Sequence, residues 1–152
     1  MDEQTKAMIG LGTLTACADM DLEDEEVKTI VGIGMAILDD ENTDSDAVLH
    51  EITDTVAKVV VNFNRGLQTE DADDRVNHII NCLKTEAEKI TDSEIRFNAI
   101  HFCMLVAEAD SEVEQQEAVY MNCMHDVWAG MNDGWDLSYT EVIEKVMDRR
   151  TA

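Results

Sequence analysis

Two stretches of this chain, 91 residues apart, are written in the same pattern. Ala18-Asp19-Met20-Asp21-Leu22-Glu23-Asp24-Glu25-Glu26 returns as Ala109-Asp110-Ser111-Glu112-Val113-Glu114-Gln115-Gln116-Glu117, each reading Ala-Asp-x-acid-aliphatic-Glu-x-x-Glu. An internal repeat constrains the architecture before any element is assigned, because both halves must then build similar units. Each copy lies where one apolar-periodic segment stops and the next begins, so each reads as a short acidic corner between two helices. The chain has no proline and only seven glycines, too little punctuation for the turns of a strand-rich fold. The fold expected is all-α: a single compact seven-helix domain over residues 1–152, built from two related helix-corner-helix halves.

Helical spacing places the first helix over 2–18 and the second from the first corner to about Leu38. The second should bury Val27, Ile30, Val31, Gly34, Ile37 and Leu38, with Gly32, Gly34 and Ala36 allowing a close helix approach. Thr43, Asp44 or Ser45 can cap a third helix, over about 45–65, which Gly66 ends. Its expected stripe is Val48, Leu49, Ile52, Val56, Val59, Val60 and Phe63. A fourth helix covers about 71–90, and Thr91, Asp92 or Ser93 caps a fifth that leads into the second corner. The sixth, over about 115–129, offers Ala118, Val119, Met121, Met124 and Trp128. After a turn at Gly130–Gly134, Ser138 caps the last helix, with Tyr139, Val142, Ile143, Val146 and Met147 inward.

The corners carry four matched acids each: Asp19, Asp21, Glu23 and Glu26, then Asp110, Glu112, Glu114 and Glu117. Carboxylates at alternate positions of a turn can converge on one point, and a hard cation such as Ca²⁺ takes six to eight oxygen ligands. The loop is not an EF-hand, which needs Gly sixth and Glu twelfth; counted from Asp19 those are Asp24 and Ile30, and from Asp110 they are Gln115 and Met121. Helix capping is the competing explanation. Glu23 with Glu26, and Glu114 with Glu117, have capping-box spacing, and acids suit a first helical turn. Asp19 and Asp110 would instead close a preceding helix, where the dipole disfavours an anion. Capping alone accounts for half of the carboxylates, and both explanations stand at this level.

A paired corner of the form Ala-Asp-Gly-x-aliphatic-x-x-x-Glu, once in each half of an all-helical chain, resembles the TerB family of tellurite-resistance proteins. The matching residues are Ala18, Asp19, Leu22 and Glu26, then Ala109, Asp110, Val113 and Glu117; Met20 and Ser111 stand where the family has Gly. The resemblance implies a compact helical domain, an acidic divalent-metal site and a non-enzymatic role in a bacterial or phage stress-response module. Asp21 and Glu112 would be additional ligands that the family motif does not require; with Glu23 and Glu114 they complete the eight-carboxylate set read from the corners, with Ca²⁺ the first candidate and Mg²⁺ the second.

The formal net charge of −23 argues against direct binding to nucleic acid or anionic membranes, which need basic patches. It favours cations and basic protein surfaces. A second function is therefore open: an acidic interaction protein, such as a phage anti-defence inhibitor or nucleic-acid mimic, that binds a basic host protein. A third is an adaptor docking to other stress-response components, with a purely structural cation. The cysteines, Cys17, Cys82, Cys103 and Cys123, form no Cys-x-x-Cys and fall among apolar residues, which suits thiols in a reducing compartment. Neither a charged-then-apolar leader nor a run of membrane-spanning length is present, so a cytoplasmic protein is expected. No Glu-x-x-His pair, second zincin histidine, P-loop or dinucleotide fingerprint occurs, and enzymatic activity is not expected. Among the histidines, His101 and His125 are expected as hydrogen-bonded core or boundary residues.

Overall fold

A computed structural model describes residues 2–17, 24–38, 44–67, 72–109 and 115–151. Among them the chain is all-α, with seven helices: α1 (Glu3–Cys17), α2 (Asp24–Leu38), α3 (Ser45–Leu67), α4 (Ala72–Glu88), α5 (Ser93–Ala109), α6 (Gln115–Gly130) and α7 (Tyr139–Thr151). Several begin where a side chain takes up an otherwise unpaired amide, the role of an N-cap. Asp2 accepts from the Thr5 amide at 2.7 Å, and Asp44 from Asp46 at 3.1 Å. Asp92 accepts from both Glu94 (2.8 Å) and Ile95 (3.3 Å). Ser138 and Glu141 form a reciprocal capping box on α7, each side chain accepting the other's amide at 3.1 Å. The turn before α7 uses Asn132 at φ 56° and Gly134 at φ 95°, left-handed values that asparagine and glycine tolerate.

All seven helices contribute to one apolar core. At its centre is α1, where every residue from Ala7 to Thr15 is buried. A helix buried all round is one enclosed by several neighbours, and α1 packs on α5, α3 and α4. Its two buried hydroxyls are satisfied within the helix, Thr13 donating to Ile9 O at 2.8 Å and Thr15 to Leu11 O at 2.9 Å.

The pairing of α1 with α5 sets the geometry that matters below. The Gln4 side-chain oxygen accepts the amides of Thr91 (3.0 Å) and Asp92 (2.9 Å). Gly12 lies under the ring of Phe102, and the Thr15 hydroxyl is 3.5 Å from Cys103 Sγ. These three contacts advance together along both helices, so α1 and α5 run parallel. The repeat is visible in the helix bounds too: shifted by 91 residues, those of α1 and α2 fall within one residue of those of α5 and α6. The third helices diverge, with 23 residues in α3 and 13 in α7, and α4 sits between the halves without a counterpart.

A Cβ at Gly12 would overlap the Phe102 ring, which is fully buried and cannot swing away. Gly12→Ala is therefore expected to lower stability by about 1–2 kcal/mol, despite the ~1 kcal/mol that alanine gains over glycine in a helix. A urea midpoint that falls with an unchanged slope checks it.

Several expected faces need correction. Leu49 is 40% exposed, Val119 56% and Met147 42%, and Ala118 is exposed as well. Leu49 and Met147 lie at the flanks of their helices' apolar stripes, whereas Val119, two positions before buried Met121, falls about 200° round the helix from it. In α2, Gly34 is the close-approach glycine, meeting Ile9 and Ile52, whereas Gly32 and Ala36 face outward. Gly66 does not end α3 but lies in its last turn, where the His78 ring occupies the space of a side chain. No described helix is long and apolar enough to cross a membrane.

Candidate cation site at the paired corners

Because α1 and α5 are parallel, their last residues, Cys17 and Ala109, point to the same end of the fold. The chain re-enters at Asp24 and at Gln115 to begin α2 and α6. Residues 18–23 and 110–114 thus join the described chain at one end. Asp19, Asp21, Glu23, Asp110, Glu112 and Glu114 lie outside the described residues. Glu117 is in the first turn of α6, and its side chain too is outside the description.

Glu26 is described. It lies in the first turn of α2, half-buried, close enough for its charge to act on the Cys17 thiol. Burial first, then the Glu26 carboxylate and the Cys82 thiol, push the Cys17 thiol up to about 12. The donor set of both corners is hard oxygen, which suits Ca²⁺ or Mg²⁺ and not a soft metal. Among the described residues no group of three or more His, Cys, Asp or Glu side chains gathers to hold a metal.

Cys103, Cys123 and His125 have settings away from the corners. No disulfide links the four cysteines. Cys103 is fully buried beside Thr15, and burial pushes its thiol up to about 12. Cys123 borders an open groove between α4 and α6, its thiol raised by burial against the opposing pull of Lys84. His125 is buried with Nε2 2.7 Å from Leu137 O, the hydrogen-bonded core histidine expected.

Two further arrangements bring polar side chains together. One is a buried clamp: Arg96, 1% exposed, donates to Ile90 O at 3.0 Å and forks onto Asp133 at 3.1 and 2.6 Å, with Trp128 and Trp135 against its guanidinium. It ties the turn after α6 to α5; no sequence spacing links positions 96 and 133. The other is on α4, where Cys82 Sγ is 3.7 Å from His78 Nε2. Their four-residue separation was a readable signal, since such positions share a helix face.

Compared with protein-family models, with curated proteins and with solved structures, the chain gives no match in any of the three.

Proposed function

We propose that this chain is a TerB-like helical module that binds a divalent cation at its acidic corners, Ca²⁺ first and Mg²⁺ second. It would act in a stress-response system, docking to a basic protein surface or to other components of that system. The observation that carries this reading is the same carboxylate pattern written twice, on segments that join the fold at one end. Two acidic segments brought to one end repel each other, and bound cations relieve that repulsion. The residues assigned are Asp19, Asp21, Glu23 and Glu26 with Asp110, Glu112, Glu114 and Glu117.

The test is thermal melting and calorimetric titration of chelator-treated protein with Ca²⁺ and Mg²⁺. At a hundredfold the dissociation constant a ligand adds about 2.7 kcal/mol, a rise in Tm of roughly 5–10 °C for a domain of this size. Replacing Asp19 and Asp110 together by Asn is expected to remove that rise. An unchanged Tm in millimolar Ca²⁺, measured against a chelator control, overturns the proposal.

A further inference from the structure

A groove of about 690 Å³ runs between α4 and α6 and is open to solvent. Its walls follow the helix repeat. Ile80, Lys84 and Glu88 come from successive turns of α4, and Val119, Cys123 and Val127 from successive turns of α6. Side chains four residues apart lie one above another on a helix, so each wall is a row about 12 Å long. The α6 row is apolar throughout, and Met131 just past the helix end also lines the groove. Val127 and Met131 are half-buried against the core, whereas Val119 is 56% exposed. One exposed valine is ordinary on a folded surface. Here it heads a row of apolar side chains beside an open groove.

Charge decides what fits there. Glu88 and Asp126, one on each wall, are both exposed, and among the described residues Lys84 is the one cation lining the groove. Behind them stands a chain of net charge −23. A second copy would bring that charge against itself. A cationic segment instead gains from both rims and from the wider field. Two neighbouring rows with one-turn spacing suit an amphipathic helix, whose apolar residues at i, i+3 or i+4, and i+7 pack between them.

We propose that the α4–α6 groove docks a basic amphipathic helix of a partner protein. Its apolar ridge lies against Val119, Cys123 and Val127, and its lysines or arginines reach Glu88 and Asp126. This deepens, and rests on, the basic-partner part of the function proposed above; it does not depend on a cation at the corners.

The probes are two fluorescein-labelled peptides of equal positive charge. One is a leucine–lysine peptide that forms an amphipathic helix, and the other is an oligolysine with no apolar ridge. Binding is followed by fluorescence anisotropy in the presence of chelator, so that corner cations play no part. The leucine–lysine peptide is expected to bind at least about tenfold more tightly, since it alone buries apolar surface in the groove. Val119→Arg should weaken it by about tenfold or more, by placing bulk and like charge at the head of the row. Val61→Arg makes the same change in net charge on α3, outside the groove, at a valine that is 52% exposed. It should alter binding by less than about twofold, because a distant exposed charge is screened. Both positions are more than half exposed, so an unchanged Tm is expected in each variant. Equal affinity for the two peptides, or equal losses in the two variants, overturns the groove and leaves the basic-partner reading standing. Failure of both peptides to bind overturns both. Sedimentation of the protein alone tests the other occupant: self-association that Val119→Arg abolishes would assign the groove to a second copy and overturn the proposal.

Discussion

Trp128→Ala is expected to cost about 4–5 kcal/mol, the largest effect of any single substitution considered for this chain. Trp128 is the largest fully buried side chain. Its indole N–H donates to Ala87 O at 2.9 Å, tying α6 to the end of α4. Its ring meets Trp135 edge-on at 5.8 Å and lies 5.6 Å from the Arg96 guanidinium. Truncation removes the burial energy of an indole and leaves a cavity that helices on several sides cannot close. At roughly 2–4 °C per kcal/mol for a domain of this size, Tm should fall by about 10–15 °C. Trp128→Phe separates the contributions. It keeps an aromatic ring, and Ala87 O keeps the Ile90 amide at 3.0 Å, so a loss of about 1–2 kcal/mol is expected. A loss below about 2 kcal/mol for the alanine variant in urea unfolding would show that the indole is not the keystone of the α4–α6 contact.

Arg96→Ala should follow, at about 3 kcal/mol, through the loss of a packed side chain, of its bond to Ile90 O and of its contacts with two indoles. Arg96→Lys should recover little of this, because a point ammonium cannot fork onto Asp133 while also reaching Ile90 O. Urea midpoints of both variants check the order. The pairing also has a pH signature. The hydrogen bond and charge of Arg96 hold the Asp133 carboxyl below its ordinary 3.8. Its folded-state value is thus lower than the unfolded one, so its contribution is present above about pH 4 and is lost as pH falls through the lowered value. Asp133→Asn should therefore flatten the acid limb of the stability curve and change little at neutral pH beyond the loss of the pair itself.

The helices were legible because this chain states them locally. Alternating apolar stripes and N-cap residues such as Asp44, Asp92 and Ser138 gave their number, and the bounds came out within a few residues. The side that each residue faces was less legible. Periodicity says which residues share a face, not which neighbour covers it, and folded surfaces keep many apolar residues. Spacing alone puts Leu49 and Met147 inward, yet both are substantially exposed. Gly12 shows the reverse: nothing local distinguishes it from Gly10, yet the Phe102 ring from 90 residues away presses on it. Arg96 reads locally as a surface residue of α5 and is buried through partners that no periodic rule connects. At the corners the sequence spoke clearly about composition and repetition. Which oxygens converge depends on the path of residues 18–23 and 110–114, outside the described residues, and Glu26 is the one corner side chain whose setting is visible.

The enclosure of α1 has a consequence for how the chain comes into being. Helix α1 is synthesised well before α5, and its densest contact is with α5. Until residues 93–109 have left the ribosome, the side of α1 bearing Gly12 and Thr15 lacks its native covering. The helix made early is among the last to be shut in, so completion of the second half closes the first.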